Sequence, residues 1–204
     1  MSKILTHLVF DTETLSTEPN ATILALACVP FTFENYSNFP TLLEKGIMVK
    51  LKVEEQVKRY KRSIEKNTID FWKEQEIEVR DSMIKPSESD FSVIEGLEKI
   101  NNFIENIDGF SKRNSYAWSR GTDFDFPIIR SLYSVSGVPI PYNHWKVRDV
   151  RTAIDIMSGT DNGQYELKSC SDGFKKHNPL HDAAMDAARL IELYHLNSNE
   201  ELPF

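Results

Sequence analysis

The chain has 204 residues, 40% of them hydrophobic, which suffices for one sizeable core, and a single domain over residues 1–204 is expected. No run approaches the ~20 uninterrupted apolar residues of a membrane span, and the N-terminus lacks a basic-then-apolar leader, so the sequence predicts a soluble cytoplasmic protein. A formal net charge of −7 argues against a grip on a long duplex through many phosphates; any nucleic-acid partner must be held at a short site, with bound metal supplying local positive charge.

In chain order, residues 4–10 end in the apolar run Leu8-Val9-Phe10, and residues 22–33 are rich in Ile, Leu, Ala, Val and Phe. A loop through Pro19-Asn20 separates them, and the pair predicts two connected strands. Residues 47–53 alternate, with Ile47, Val49, Leu51 and Val53 on one face and Met48, Lys50 and Lys52 on the other, the pattern of a strand with one wet face. A helical stretch follows at 65–75. A longer helix over 90–107 repeats Val93, Leu97, Ile100, Ile104 and Ile107 every three or four residues, a stripe that predicts core packing.

Tyr116-Ala117-Trp118 predicts a short strand feeding a helix that opens near Phe126-Pro127, where proline is tolerated because a first-turn amide has no intrahelical partner. Asp125 then sits at a helix N-terminus. Residues 145–150 predict a last strand and 151–157 a short helix. Residues 158–179 are polar, with Gly159, Gly163, Gly173 and Pro179, and a loop of that length suggests movement or binding. The final helix, about 181–196, carries Ala183, Ala184, Ala187, Leu190, Ile191 and Tyr194. Cys28 in an apolar run and Cys170 in a polar one have no paired spacing and read as reduced bystanders.

The most telling feature is the charge at the end of the first strand, Leu8-Val9-Phe10-Asp11-Thr12-Glu13-Thr14-Leu15. Asp11 and Glu13 are separated by one residue, so a pleated backbone aims both carboxylates to one side, as a divalent-cation site requires. Asp125 and Asp186 also stand where an apolar pattern stops or turns. Each alone has a plain structural reading; aspartate, for instance, is a common helix N-cap.

Together and in this order, Phe10-Asp11-Thr12-Glu13-Thr14, Phe124-Asp125-Phe126-Pro127-Ile128 and His181-Asp182-Ala183-Ala184-Met185-Asp186-Ala187 resemble the three exonuclease motifs of the DnaQ-like superfamily. The His-then-Asp spacing is that of its DEDDh branch. Within that branch the chain is similar to the phage exonuclease A group, through Arg120 to Ile128, the His-Asp third motif, Asn67-Thr68-Ile69-Asp70-Phe71-Trp72-Lys73 and Arg148-Asp149-Val150-Arg151-Thr152. The resemblance implies an α/β, RNase H-like fold: a central mixed five-stranded sheet, its first three strands antiparallel, flanked by helices. It implies a 3′→5′ exonuclease that releases nucleoside 5′-monophosphates from the 3′ end of single-stranded DNA, a phage protein of the host cytoplasm. Short RNA or a polymerase-associated proofreading role is the alternative, and a catalytically silent nucleic-acid-binding module is the reading from another class.

Carried over by residue, the resemblance makes Asp11, Glu13, Asp125 and Asp186 metal-binding carboxylates and His181 the general base, and it sets Leu15, with Thr12 and Thr14, against the terminal nucleotide. Phosphodiester hydrolysis must bring hydroxide to a shielded phosphorus and stabilise a leaving oxyanion, which two cations ~4 Å apart accomplish. Oxygen-only ligands favour Mg²⁺ or Mn²⁺. Crowded carboxylates without metal repel, raising some of their pKa values. A histidine with an ordinary pKa of ~6.5 takes a proton from the attacking water when neutral, so activity should fall as pH drops through that range.

His177 precedes Asp182 by the same interval as His181 precedes Asp186, so the segment offers two registers. His181 is favoured because His-Asp-Ala-x-x-Asp-Ala running into an apolar helix is the closer family match. Five residues on an uninterrupted helix are ~140° apart, so His181 should then lie in the lead-in or first turn, its ring bending back. Asp125 is favoured over Asp123 for its flanking phenylalanines. The basic run Lys58-Arg59-Tyr60-Lys61-Arg62 reads as a solvated face before it reads as a strand-steering patch. Trp72 and Trp118 read as core before they read as base-stacking platforms.

Overall fold

A computed structural model of the chain describes residues 4–169 and 171–198. Five strands, β1 (His7–Thr14), β2 (Ile23–Phe31), β3 (Ile47–Lys50), β4 (Ala117–Ser119) and β5 (Val147–Asp149), form one sheet in the order β3-β2-β1-β4-β5. β1, β2 and β3 pair antiparallel, while β4 runs parallel to β1 and β5 parallel to β4, the mixed sheet expected from the resemblance. The helices are α1 (Phe39–Lys45), α2 (Val53–Tyr60), α3 (Lys66–Glu74), α4 (Ile77–Ile84), α5 (Val93–Glu105), α6 (Asp125–Ser136), α7 (Val150–Ser158) and α8 (Pro179–Asn197).

The pleat of β1 divides the core. Leu8 and Phe10 turn toward α5 and α6, into a cluster with Val93, Leu97, Ile100, Phe126 and Ile129. Val9 turns the other way, toward α1, α7 and α8, packing among Phe39, Ile154, Ala183, Ala187 and Ile191. The alanines of α8 are all buried, and their small side chains let that helix lie close on β1 and β2. Ser92 opens α5 with a reciprocal cap, its hydroxyl accepting from Glu95 N–H while the Glu95 carboxylate accepts from Ser92 N–H.

Three local expectations shift. β3 ends at Lys50, and Val53 begins α2 instead of continuing the strand. The face expected to be wet is covered: Met48 packs with Leu24, Ala25, Trp72 and Met83 beneath α3 and α4. α8 begins at Pro179, two residues before the expected start, because Asn178 caps it by accepting from the N–H groups of Leu180 and His181.

The basic run is structural at its end. Lys61 adopts a left-handed conformation and Arg62 turns inward, donating from Nε to the Ala21 carbonyl at 2.7 Å and from its guanidinium to Ser131 and Ile128. Trp72 is fully buried, its indole N–H donating to the Thr14 carbonyl at 2.9 Å, and Trp118 is buried as well. Cys28 is buried and free; Cys170 lies outside the described residues. No helix among the described residues is long and apolar enough to cross a membrane.

Candidate active site

The site begins with the pleat of β1. Since Val9 faces α8, Asp11 and Glu13 emerge on that same face, beyond the apolar layer. On β2 they stand opposite Ala27 and Ala25, whose small side chains leave room beside the carboxylates. Thr12 faces the other way, toward the start of α6. Its N–H and hydroxyl both donate to one oxygen of Asp125, at 3.1 and 2.7 Å, and so fix a carboxylate that is only 2% exposed.

The third segment arrives from the polar loop and α8. Asp182 lies in the first turn of α8, and its carboxylate accepts from the backbone N–H of His177. One carboxylate oxygen each from Asp11, Glu13 and Asp182 lie within 4.8 Å of one another. The His177 backbone is left-handed, with φ 62°, which bends its ring back over the sheet, Nδ1 3.9 Å from Glu13 Oε1. Phe71 of α3 meets that ring edge-on, with centroids 5.1 Å apart.

Burial raises the pKa values of Asp11 and Glu13 well above the carboxylate range, and the neighbouring acids, Asp125 and Asp182 among them, add to it. Asp125 is pushed up to about 7 by burial, against the hydrogen bonds from Thr12. Asp182 is pushed up to about 7 by burial and by Asp186. Burial, helped by Lys176, lowers His177 below its ordinary value, which keeps the imidazole neutral near pH 7. A donor set made of crowded carboxylate oxygens that resist ionising together fits a hard divalent cation, and Asp11, Glu13 and Asp182, with Asp125 beside them, are the residues able to hold one.

The structure places the two registers differently. His181 falls inside regular helix, because α8 starts at Pro179; its Nδ1 accepts from the Lys175 N–H and its ring packs against Phe39 and Phe174. About 140° around the helix, Asp186 cannot share a target with it. Asp186, 3% exposed and one turn deeper than Asp182, is bound by both oxygens to Arg120 Nε at 2.9 and 3.1 Å and by Arg189 at 2.9 Å. The residues brought to Asp11 and Glu13 are Asp182 and His177.

Asp123 is exposed, while Asp125 turns inward. Leu15, expected against a terminal base, is instead buried with Leu24, Trp72 and Met83, because β1 ends at Thr14 and the chain turns under α3. Thr14 lines the site cavity and donates to the Ser16 carbonyl.

Two cavities meet at the acids and share Thr12, Glu13 and Phe124. One, about 380 Å³, has neutral walls including Thr17, Asn67, Thr68 and Phe71. The other, about 550 Å³, holds the acids themselves and runs out between Arg120, Arg151, Gln164, Lys176 and Arg189. Reading the sequence assigned no role to Phe71, Asn67, Phe124, Arg151 or Lys176. Residues 67–73 enter the sequence reading only through the family likeness, and nothing in a helix pattern says which of its faces borders a distant strand.

Residues 6–193 match the model of the family described as 3′-5′ exoribonuclease Rv2179c-like domain. The chain is 34% identical over 197 residues to the exodeoxyribonuclease of Enterobacteria phage T4, covering 87% of this chain and 84% of that protein. Its fold is similar to that of the nuclease domain of 3′hExo, a DEDDh family member bound to rAMP, at 13% identity and a TM-score of 0.61, covering 98% of this chain and 96% of that one. It is also similar to a full-length 3′-exonuclease, at 14% identity and a TM-score of 0.58, covering 98% and 85%. The chain belongs to the Rv2179c-like 3′-5′ exoribonuclease domain family and is a 3′–5′ exonuclease.

Proposed function

We propose that the chain degrades single-stranded DNA from its 3′ end, releasing nucleoside 5′-monophosphates, with Asp11, Glu13, Asp125 and Asp182 as metal-binding carboxylates and His177 as general base. The observation that carries this reading is the convergence of three carboxylate oxygens within 4.8 Å, beside a neutral imidazole, at the mouth of a cavity walled by Phe71 and Phe124. Two divalent cations, Mg²⁺ or Mn²⁺, would supply Lewis acidity toward the phosphate and make the attacking water more acidic.

The chain's own residues do the rest. Thr12 locks Asp125 in one orientation through two hydrogen bonds. His177 accepts the proton of the attacking water, its ring held between Glu13 and Phe71. The neutral cavity takes the 3′-terminal nucleoside, with aromatic walls for the base and Asn67, Thr17 and Thr68 as hydrogen-bonding groups. DNA over RNA is favoured by the 34% identity to a protein named an exodeoxyribonuclease. A 3′ end of short RNA is the second reading, favoured by the exoribonuclease description of the family.

The test is 5′-labelled single-stranded DNA and RNA of one sequence, incubated side by side with wild type and Asp11→Asn, with and without Mg²⁺. The expected result is a ladder of DNA shortened from the 3′ end, with wild type and metal only. A ladder from RNA alone would move the assignment to the second reading, and cleavage by Asp11→Asn would end it.

A further inference from the structure

We infer that Arg151 and Lys176 form a binding site for a backbone phosphate upstream of the bond that is cut, and so set the direction in which the strand leaves the cleft. This rests on the nuclease reading above and extends it to residues that neither the motifs nor the sequence pattern assigned.

The cleft has a neutral end and a cationic end that meet at Thr12, Glu13 and Phe124. The cationic end carries four positive side chains, which are not equivalent. Arg120 and Arg189 are committed: both bind Asp186, Arg120 also donates to the Gly163 carbonyl at 2.8 Å, and Arg189 to the Tyr165 carbonyl at 3.0 Å. Arg151 and Lys176 line the same cavity, are exposed, and have no carboxylate within ion-pair distance among the described residues. In a chain of net charge −7, two uncommitted cations facing the catalytic acids are a place for an anion.

Arg151 is also held in position. Gly163 adopts φ 64°, and a Cβ there would lie 2.8 and 2.9 Å from Arg151 Cβ and Cγ. The missing side chain therefore lets the loop pass flat beneath the stem of Arg151. The same Gly163 donates its N–H to Asp155 at 2.7 Å and accepts from Arg120, so the loop under Arg151 is tied to α7 and to the end of β4. Lys176 lines the same cavity from the segment that precedes α8, next to His177.

The chemistry of a 3′ end fixes which end of the cleft does what. The terminal nucleoside carries no charge beyond the phosphate being attacked, and it suits the neutral aromatic cavity. Each preceding nucleotide brings a further phosphate, which needs neutralising and suits Arg151 and Lys176.

Steady-state hydrolysis of TpT and pTpT tests this, because the second differs only by a phosphate at the upstream position. Wild type should show a KM for pTpT lower than for TpT by roughly 5- to 10-fold, from one charge-assisted contact. Arg151→Gln keeps the Cβ, Cγ and Cδ that cover Gly163 and removes the guanidinium; the ratio should fall to within about 2-fold of unity, and Lys176→Gln should reduce it as well. The salt slope of log KM for longer oligonucleotides should become shallower by about 0.7 per lost phosphate contact. A ratio that persists in both variants would overturn the inference while leaving the nuclease reading intact. Failure of the wild-type protein to cut these dinucleotides, the ribonucleotide pair UpU and pUpU, and the longer oligonucleotides alike would instead remove the reading beneath it.

Discussion

The tip of β1 and the start of α8 each deliver carboxylates to the cleft, but they do so with different tolerances. In the strand, a pleat of period two leaves no choice: once Val9 faces α8, Asp11 and Glu13 face it too, and Thr12 faces α6. In the helix, a capping residue decides. Asn178 starts α8 at Pro179, so Asp182 reaches the acids, His181 rotates into an aromatic pocket, and Asp186 falls a turn deeper between two arginines. A strand motif specifies direction by itself, whereas a helix motif specifies it only when its first residue is known.

The largest expected effect separates the two histidines. His177→Ala should lower kcat by about 10²- to 10⁴-fold, the usual contribution of a positioned general base, with KM little altered. His181→Gln, at a ring packed on Phe39 and Phe174, should lose less than about 3-fold. Similar losses in both variants, or the reverse order, would restore the helix register favoured by motif matching.

The two aspartates should separate next. Asp182→Asn should cost roughly 10²- to 10³-fold in kcat while the protein stays folded, since it removes one electrostatic group from the reacting centre. Asp186→Asn strands two guanidiniums, Arg120 and Arg189, and should appear first as a loss of about 3–5 kcal/mol of stability, read by denaturant unfolding. On the strand side of the cleft, Phe71→Ala removes an aromatic wall and the edge contact on His177. It should raise KM by roughly 5-fold or more, against about 1–3 kcal/mol for a stacked base, whereas Leu15→Val, in the core beneath α3, should alter stability and leave KM alone.

The smallest effect is on thermal stability. Asp125 and Asp182 hold their protons to about pH 7 when folded but release them near their ordinary value of 3.8 when unfolded. Folding thus favours the protonated form: this contribution is complete below about pH 3.8 and is lost as pH rises through about 7, by at most about 1.4 kcal/mol per pH unit for each group. Exposed carboxylates such as Glu54 and Asp70, whose values are lowered by lysine partners, are already ionised across this range, and buried His7, lowered to about 4, opposes the trend as one group against the two aspartates, reducing it without reversing it. In EDTA, Tm should be several degrees lower at pH 8 than at pH 5. Mn²⁺ at about 100 times its Kd should restore roughly 2.7 kcal/mol at pH 8 and far less at pH 5. An EDTA profile rising from pH 5 to 8 would show that the acids are not crowded.

Much of this was legible in the sequence because single elements encode it. The one-residue spacing of Asp11 and Glu13 on a strand carries the paired carboxylates, the stripe in residues 93–104 carries α5, and the apolar residues from Ala183 to Tyr194 carry a final helix. What the sequence left open depends on contacts between distant elements. The covering of Met48 requires Trp72 and Met83 to arrive from α3 and α4, and α4 buries little besides Met83, so its pattern carries almost no periodic signal. The left-handed turn at His177 is set by the loop, and no residue type at that position announces it. Asp182 and Asp186 share one helix face, and only the arrival of Arg120 from β4 and of Arg189 from α8 itself shows which of them is already neutralised.

The most direct test is Mn²⁺ binding, titrated by electron paramagnetic resonance on wild type, Asp182→Asn and Asp186→Asn, each confirmed as folded. Asp182→Asn should weaken the ion at least about 10-fold while Asp186→Asn binds within about 3-fold of wild type. Retained affinity in Asp182→Asn together with its loss in Asp186→Asn would contradict the account.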